Sequence, residues 1–367
     1  MTFVDSFGSV KTTSRRDSAA AAGQRRRILL LASEAEIQYR VLRCAASLDA
    51  DVHVMGPVRA KPLAFSRFCK KFHAASDFAK APEASLAQKI DTVARAHGID
   101  LVIPGDTVTT RLLTRIRAAL ATPVFPVPEA EAFEALATKD RFMELCGRFA
   151  IPHPKGALYL DRAGLLAAID DGRVRFPAMF KPLNRAGGIG VVRADADNAR
   201  ALAAAIDYAP ILVQDFVDGE DRSVSIFCRG GEIKKEVVYS HPDGVFRFHD
   251  EPELSRIVAV IAKAMRLDGV INFDARVDRE GQVWLIECNP RFFFSMDAIM
   301  IAGINFADME TGARTAFDPT RDVKLPRVTV KDCLKLRLPA GPDWKMLAHW
   351  LGDPLMLAYA ATGIKRL

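Results

Sequence analysis

The stretch Gly269-Val-Ile-Asn-Phe-Asp274-Ala-Arg276-Val-Asp-Arg-Glu-Gly281-Gln-Val-Trp-Leu-Ile-Glu287-Cys-Asn289-Pro-Arg291 decides the reading of this chain. It predicts two strands joined by a tight turn at Asp278-Arg279-Glu280-Gly281. If Val277 pairs with Gln282, Asp274 lies opposite Leu285 and Glu287 is its diagonal neighbour. Side chains alternate along strands, so Asp274, Glu287 and Asn289 project from one face. Diagonal neighbours lie about 7–8 Å apart at Cα, less between side chains. Two carboxylates and an amide oxygen there suit Mg²⁺ that also holds phosphates. An ordinary hairpin with solvated carboxylates would show the same pattern, so this stretch alone leaves both readings open.

Upstream, Met179-Phe180-Lys181 reads as the apolar end of a strand that delivers a lysine. Arg185, Ala186, Gly187, Gly188, Ile189 and Gly190 follow. Such a loop can turn N–H groups toward an anion while the lysine adds a compact charge. No Gly-Lys-Ser/Thr follows, so it is not a Walker A loop, and a plain hairpin turn is its simpler reading. Ile211-Leu212-Val213-Gln214-Asp215-Phe216-Val217 is an apolar strand that runs into the acidic turn Asp218-Gly219-Glu220-Asp221. Backbone groups at such an end can hydrogen-bond an adenine edge, and a carboxylate beyond it can take ribose hydroxyls. Lys139 opens a helical stretch, Thr138–Phe149, where a cation can meet phosphates.

Toward the N-terminus the pattern changes to strand, helix, strand, helix, strand. Ile28–Ala32, Asp51–Gly56 and Asp100–Pro104 are the strands, with an amphipathic segment from Ile37 to Leu48 and a helical one near Leu86–Ala96. This order predicts a small open parallel sheet. Its first turn, Ser33-Glu34-Ala35-Glu36, lacks the glycine fingerprint of a dinucleotide site, which excludes a dehydrogenase. Pro123, Pro126 and Pro128 mark a boundary after it. Beyond Met296 helical segments mix with loops, and Asp343–Ile364 is apolar enough to pack on the body.

Composition bounds the function. The 367 residues are 50% hydrophobic and 26% charged, as in ordinary globular proteins. The net charge is +6, but residues 1–27 supply six basic and two acidic side chains, leaving only +2 on the rest. A nearly balanced body gives no electrostatic case for nucleic acid. Residues 1–25 read as a flexible tail. No apolar run approaches the roughly 18 residues that span a bilayer. Six scattered cysteines without a Cys-x-x-Cys pair read as reduced thiols, and the expectation is a cytoplasmic protein that does not bind membranes.

Taken in order, these features resemble the ATP-grasp superfamily: lysine before a helix, lysine before a glycine loop, acidic strand end, then Asp and Glu-x-Asn-Pro-Arg on a hairpin. The resemblance runs from about Arg27 to Gly303. It implies a fold of α/β and α+β character, with a Rossmann-like open parallel-sheet domain (26–126) that precedes a two-lobed ATP-grasp body. The small, lid-bearing lobe would span 127–215 and the large lobe with the metal site 216–310. A mostly helical segment, 311–367, would pack on the large lobe.

The resemblance also implies roles. Lys139 and Lys181 would contact ATP phosphates, and Gly187, Gly188 and Gly190 would belong to the lid loop. Gln214, Asp215, Phe216 and Val217 would surround adenine and Asp221 would meet the ribose, although many members carry glutamate where Asp215 or Asp221 stands. Asp274, Glu287 and Asn289 would hold Mg²⁺, with Mn²⁺ as an alternative, and Arg291 would act catalytically by neutralising the transferring phosphoryl group.

The implied activity is an ATP-dependent ligase that converts a small-molecule carboxylate to an acyl phosphate and passes the acyl group to an amine, releasing ADP and phosphate. A bicarbonate-using carboxylase and an ATP-grasp kinase are alternatives inside the superfamily. A non-catalytic nucleotide-binding sensor is one outside its chemistry. A homodimer is compatible with all of them. His241, Arg247, His249 and Arg276 are candidates for acceptor recognition, and Phe292-Phe293-Phe294 for an apolar pocket or for core.

Overall fold

Ile28–Leu31 can be apolar without interruption because both faces of its strand are covered. In the computed structural model, which describes residues 25–183, 185, 188–309 and 319–361, β1 (Arg27–Leu31) is followed by α1 (Ile37–Ala46) and β2 (Asp51–Gly56). Then come β3 (Cys69–Ala74), α2 (Glu83–His97), β4 (Leu101–Pro104) and α3 (Thr107–Ile116). Ile28 and Leu30 enter one core with Val41, Leu42, Val52 and Val54. Leu29 and Leu31 enter another with Leu86 and Ile90. The strands are parallel, in the order β3-β2-β1-β4. Strand β3 adds to the three expected ones. Its Cys-Lys-Lys-Phe-His-Ala sequence has no continuous apolar face, and its lysines stay exposed at the sheet edge.

Two helices, α4 (Ala130–Ala137) and α5 (Lys139–Arg148), lead into the body. Their Leu136, Phe142, Leu145 and Cys146 pack with Phe273 and Leu285 of the hairpin over residues 269–289, so α5 is seated on the large sheet. The small sheet is built from β5 (Gly156–Tyr159), α6 (Arg162–Asp170), β6 (Ala178–Pro182), β7 (Val192–Ala194), α7 (Ala199–Ala205) and β8 (Ile211–Asp215). Its strand order is β5-β8-β6-β7, all antiparallel, and α6 and α7 cover one face through Leu165, Ala168, Ala199 and Ala203.

The large sheet follows, with β9 (Gly219–Arg229), β10 (Glu232–Ser240), β11 (Val245–His249), α8 (Pro252–Ala264), β12 (Gly269–Asp278) and β13 (Val283–Asn289). After α9 (Met296–Ala302), β14 (Val323–Lys324) completes the order β13-β12-β9-β10-β11-β14. One face packs on α8 through Val224, Ile226, Ile257 and Ile261. The other meets the N-terminal domain, where Phe227, Tyr239, Phe246, Phe292 and Phe293 share a core with Leu30 and Val54. The helices α10 (Pro326–Leu334), α11 (Gly341–Leu351) and α12 (Pro354–Ala361) close the chain, with Met346 and Met356 buried in that same core.

The tail expected over residues 1–25 lies outside the described residues except for Arg25. All six cysteines are free. Among the described residues no helix is long and apolar enough to cross a membrane.

Candidate active site

The hairpin β12–β13 forms around the expected turn, where Gly281 takes a φ of 81° that favours glycine. The Asp278 carboxylate accepts the amides of Glu280 and Gln282 at 3.0 and 2.9 Å. The register differs from the expected one. Val277 pairs with Val283, and between Asp274 and Ala275 the pairing skips Ile286, a β-bulge. The extra residue places Asp274 directly opposite Glu287 and Asn272 opposite Asn289. Directly opposed residues approach to about 4.5–5.5 Å at Cβ, closer than diagonal ones. Bulges often re-aim side chains beside active sites.

Around Asp274 the polar groups are interlocked. Ser223 Oγ donates to its Oδ1 at 2.8 Å and Asn272 Nδ2 at 3.1 Å. Asn289 Nδ2 reaches both Asp274 Oδ2 and Glu287 Oε1 at 3.4 Å. Ser225 Oγ and Tyr239 Oη donate to Asn272 Oδ1 at 2.9 and 3.2 Å. Burial, and then the Glu287 carboxylate beside it, push the Asp274 carboxyl up to about 6. Two carboxylates held this close repel each other, and a divalent cation between them would remove that cost. Among the described residues no three His, Cys, Asp or Glu side chains are grouped to hold a metal. Asn289 turns its Nδ2 to these carboxylates and its Oδ1 to Arg291. A cation here would therefore take the two carboxylates and phosphates first. It would gain the Asn289 oxygen only once that amide turned over, an all-oxygen set that suits a hard ion.

The cations converge from three directions. Lys139 opens α5, and its Nζ donates to the Arg185 carbonyl at 3.1 Å and stands 3.6 Å from Glu287 Oε2. Lys181 ends β6 buried, its Nζ donating to Gln214 Oε1 at 2.8 Å. Burial lowers its ammonium to about 8, with the Glu287 charge acting the other way, so it remains mainly charged at neutral pH. Arg291 is fixed by three bonds of 2.8 Å, donated to Thr107 Oγ1, the Phe292 carbonyl and Asn289 Oδ1. Through Thr107 the N-terminal domain sets the orientation of this guanidinium.

The segment after β8 is organised by Arg276, which lies on the Asp274 face of β12. Its Nη1 donates to the Val217 carbonyl at 2.6 Å and its Nε to Asp221 at 2.8 Å. The Phe216 ring lies under two guanidinium groups, Arg193 at 4.3 Å and Arg276 at 5.3 Å from its centroid. Gly219 carries no side chain because a Cβ there would sit 2.3 Å from the Val277 carbonyl oxygen. Asp215 does not join this group. One residue past Gln214, it faces the other side of the strand, where Arg175 holds its carboxylate at 2.5 Å. Gly188 and Gly190 take φ values of 72° and 79°, and Tyr208 Oη ties the Gly190 carbonyl at 2.7 Å. Gly187 lies outside the described residues.

Of the acceptor candidates, His241, Arg247 and His249 border one notch with Arg222, Ser223 and Ser240, at the ends of β9 and β10. His249 Nε2 pairs with Ser240 Oγ at 2.8 Å. Phe292 and Phe293 are core, whereas Phe294 is exposed. Sequence reading missed Asn272, Ser223 and Ser225. Asn272 was signalled as a polar residue two before Asp274 in an apolar run, whereas Ser223 and Ser225 follow the charged stretch Glu220-Asp221-Arg222 and stood out less. Thr107 had none, since 184 positions separate it from Arg291.

Residues 207–331 match the family model described as ATP-grasp in the biosynthetic pathway with Ter operon. The arginine-specific carbamoyl phosphate synthase large chain of Geobacillus stearothermophilus is 25% identical over 178 residues, 44% of this chain and 17% of that protein. The chain thus spans about a sixth of that relative's length. The carboxyaminoimidazole ribonucleotide synthase of Aspergillus clavatus, solved with ATP, superposes with a TM-score of 0.63 at 14% identity, covering 85% of this chain and 86% of that one. The L-amino acid ligase of Bacillus licheniformis superposes with a TM-score of 0.56 at 15% identity, covering 81% and 75%. With the parallel leading sheet and the two antiparallel sheets, these matches show that the chain has the fold of ATP-grasp enzymes, and that residues 207–331 are similar in sequence to that family.

Proposed function

We propose that the protein is an ATP-dependent carboxylate–amine ligase that forms a C–N bond through an acyl phosphate. The observation that carries this reading is the opposition of Asp274 and Glu287 across a bulged hairpin, with Lys139, Lys181 and Arg291 arrayed around it. Transfer of a phosphoryl group to a carboxylate brings anions together, so positive charge and positioning supply most of the catalysis.

Asp274, Glu287 and Asn289 are the residues that would hold Mg²⁺, which would supply neutralising charge to the nucleotide phosphates. Lys139 and Lys181 neutralise the nucleotide phosphates. The Lys139 bond to the Arg185 carbonyl couples that charge to the glycine loop. The loop, through Gly188 and Gly190, closes over the phosphates and keeps water from the acyl phosphate. Gln214 fixes Lys181, while Phe216, Val217 and Asp221 frame the base and ribose under the hold of Arg276. Arg291, immobilised by Thr107 and Asn289, faces the charge that develops on the transferring group. The notch of His241, Arg247 and His249 beside Ser223 receives the acceptor, a free amine or ammonia.

Oxygen tracing tests this chemistry. With an ¹⁸O-labelled carboxylic acid, one labelled oxygen should leave in the phosphate, because the carboxylate oxygen attacks phosphorus and departs when the amine attacks carbon. Unlabelled phosphate alongside amide product would exclude the acyl phosphate.

A further inference from the structure

Two arginines on α1 are buried around a single carboxylate. Arg43 has no exposed surface, and Arg40 and Asp297 are almost as deeply buried. Asp297 Oδ2 accepts Arg40 Nη1 at 2.8 Å and lies 3.6 Å from Arg43 Nη1, too far for a hydrogen bond. One positive charge is therefore uncompensated in a desolvated position. Among the described residues, all three guanidinium nitrogens of Arg43 lack hydrogen-bond partners, as do Arg40 Nε, Trp350 Nε1 and His349 Nε2. Each buried donor left unsatisfied costs about 1–3 kcal/mol, more when charged. A cluster of this kind calls for a missing partner.

The surrounding groups indicate what the partner is. Arg43 lies 5.0 Å from the Tyr39 ring and 5.3 Å from the Trp350 ring, and Arg40 lies 3.7 Å from that of Phe294. These are ring faces, and the nearby buried carboxylate of Asp353 is already engaged by Tyr39 Oη at 3.1 Å, by Ser66 Oγ and by the Arg67 amide. Burial first, then the positive charge of Arg43, lower His349 to about 4, so its imidazole is neutral and adds no competing charge. The cluster joins three elements, with α1 and α9 supplying the ions and α11 supplying His349 and Trp350. It shares no residue with the nucleotide set. Its six orphaned nitrogens are sealed from solvent in this conformation, and the partly exposed His349 and Trp350 form the outer wall.

We propose that Arg40, Arg43 and the Trp350 indole form a binding site for a small oxyanion, a phosphate or a carboxylate, which enters by movement of the α11 side chains and cross-links α1 to α11. Fluorescence and calorimetric titration of the full-length protein with inorganic phosphate, with acetate and with chloride test it, Trp350 serving as a reporter. Saturable binding of phosphate or acetate is expected, and which of the two binds more tightly identifies the source. Arg43→Met should weaken it roughly 10- to 100-fold, the range for a charged hydrogen bond. Trp350→Phe, which keeps the ring, should weaken it several-fold and serves if Arg43→Met fails to fold. Lys181→Met should leave it unchanged. The proposal falls if neither oxyanion binds, if chloride binds as well as they do, if binding survives both Arg43→Met and Trp350→Phe, or if it disappears with Lys181→Met, which would place the anion in the nucleotide site.

Discussion

Replacing Glu287 by glutamine keeps the shape of the side chain and removes one of the two charges on the bulged hairpin. Two effects on the empty protein oppose each other. The Lys139 ammonium, 3.6 Å away, loses its partner. At an effective dielectric of about 20 such a pair attracts by about 4–5 kcal/mol, most of it offset by solvation and side-chain ordering, which leaves about 1 kcal/mol for a partly exposed pair. In return, Asp274 loses the repulsive neighbour that helps hold its carboxyl at about 6. Melting without metal should therefore shift by less than about 1 kcal/mol. Catalysis should behave differently, because a site with one carboxylate holds a divalent ion poorly. A fall of at least about 100-fold in kcat/KM, close to 2.7 kcal/mol, is expected, with a higher Mg²⁺ requirement. The assay is coupled ADP release across a Mg²⁺ titration, beside thermal melts in chelator. A kcat/KM within threefold of the parent at unchanged Mg²⁺ requirement would refute the metal assignment. A collapsed melt would show that Glu287 serves the fold instead.

Other substitutions test separate parts of the account. Lys181→Met should raise the KM for ATP roughly 10- to 100-fold while stability changes by about 1 kcal/mol or less, since a desolvated ammonium and one hydrogen bond are lost together; an unchanged KM would remove Lys181 from the nucleotide site. Phe293, 3% exposed and packed against Tyr239 and Phe306, should cost about 3–5 kcal/mol when cut to alanine, read by urea denaturation. His73 stacks on His53 and lies near His97, and burial followed by those neighbours lowers its imidazole to about 4. The unfolded chain takes up that proton near 6.5, so between pH 6.5 and 4 the unfolded state binds more protons and stability falls as pH falls. His73→Gln should flatten that part of the stability profile; an unchanged slope would exclude the histidine cluster as its source.

The sequence was most legible where burial is complete. Ile28–Leu31 announces a strand covered on both faces, and the order of lysines, glycines and carboxylates announces the ATP-grasp fold. Strand β3 escaped because edge exposure lets Lys70 and Lys71 replace an apolar face. The hairpin register was misjudged twice, by one residue at the turn, where Val277 pairs with Val283, and by one more at the bulge over Ile286, which no residue type marks; together they bring Asp274 and Glu287 closer than expected. The side chain of Asp215 faces away from Gln214 by strand alternation and is held by Arg175, so only its backbone can take the part expected of it at an adenine edge. Contacts such as Arg291 to Thr107, or Arg40 to Asp297, depend on domains meeting in space and leave no local pattern.

The central claim is tested most directly by measuring ADP and phosphate release from Mg-ATP across a panel of carboxylic acids and amines, bicarbonate and ammonia included, with mass spectrometry of the products. The account predicts release that requires both an acid and an amine, with a matching amide formed. Release with phosphate carried on a hydroxyl, or nucleotide binding without turnover on any pair, would contradict it.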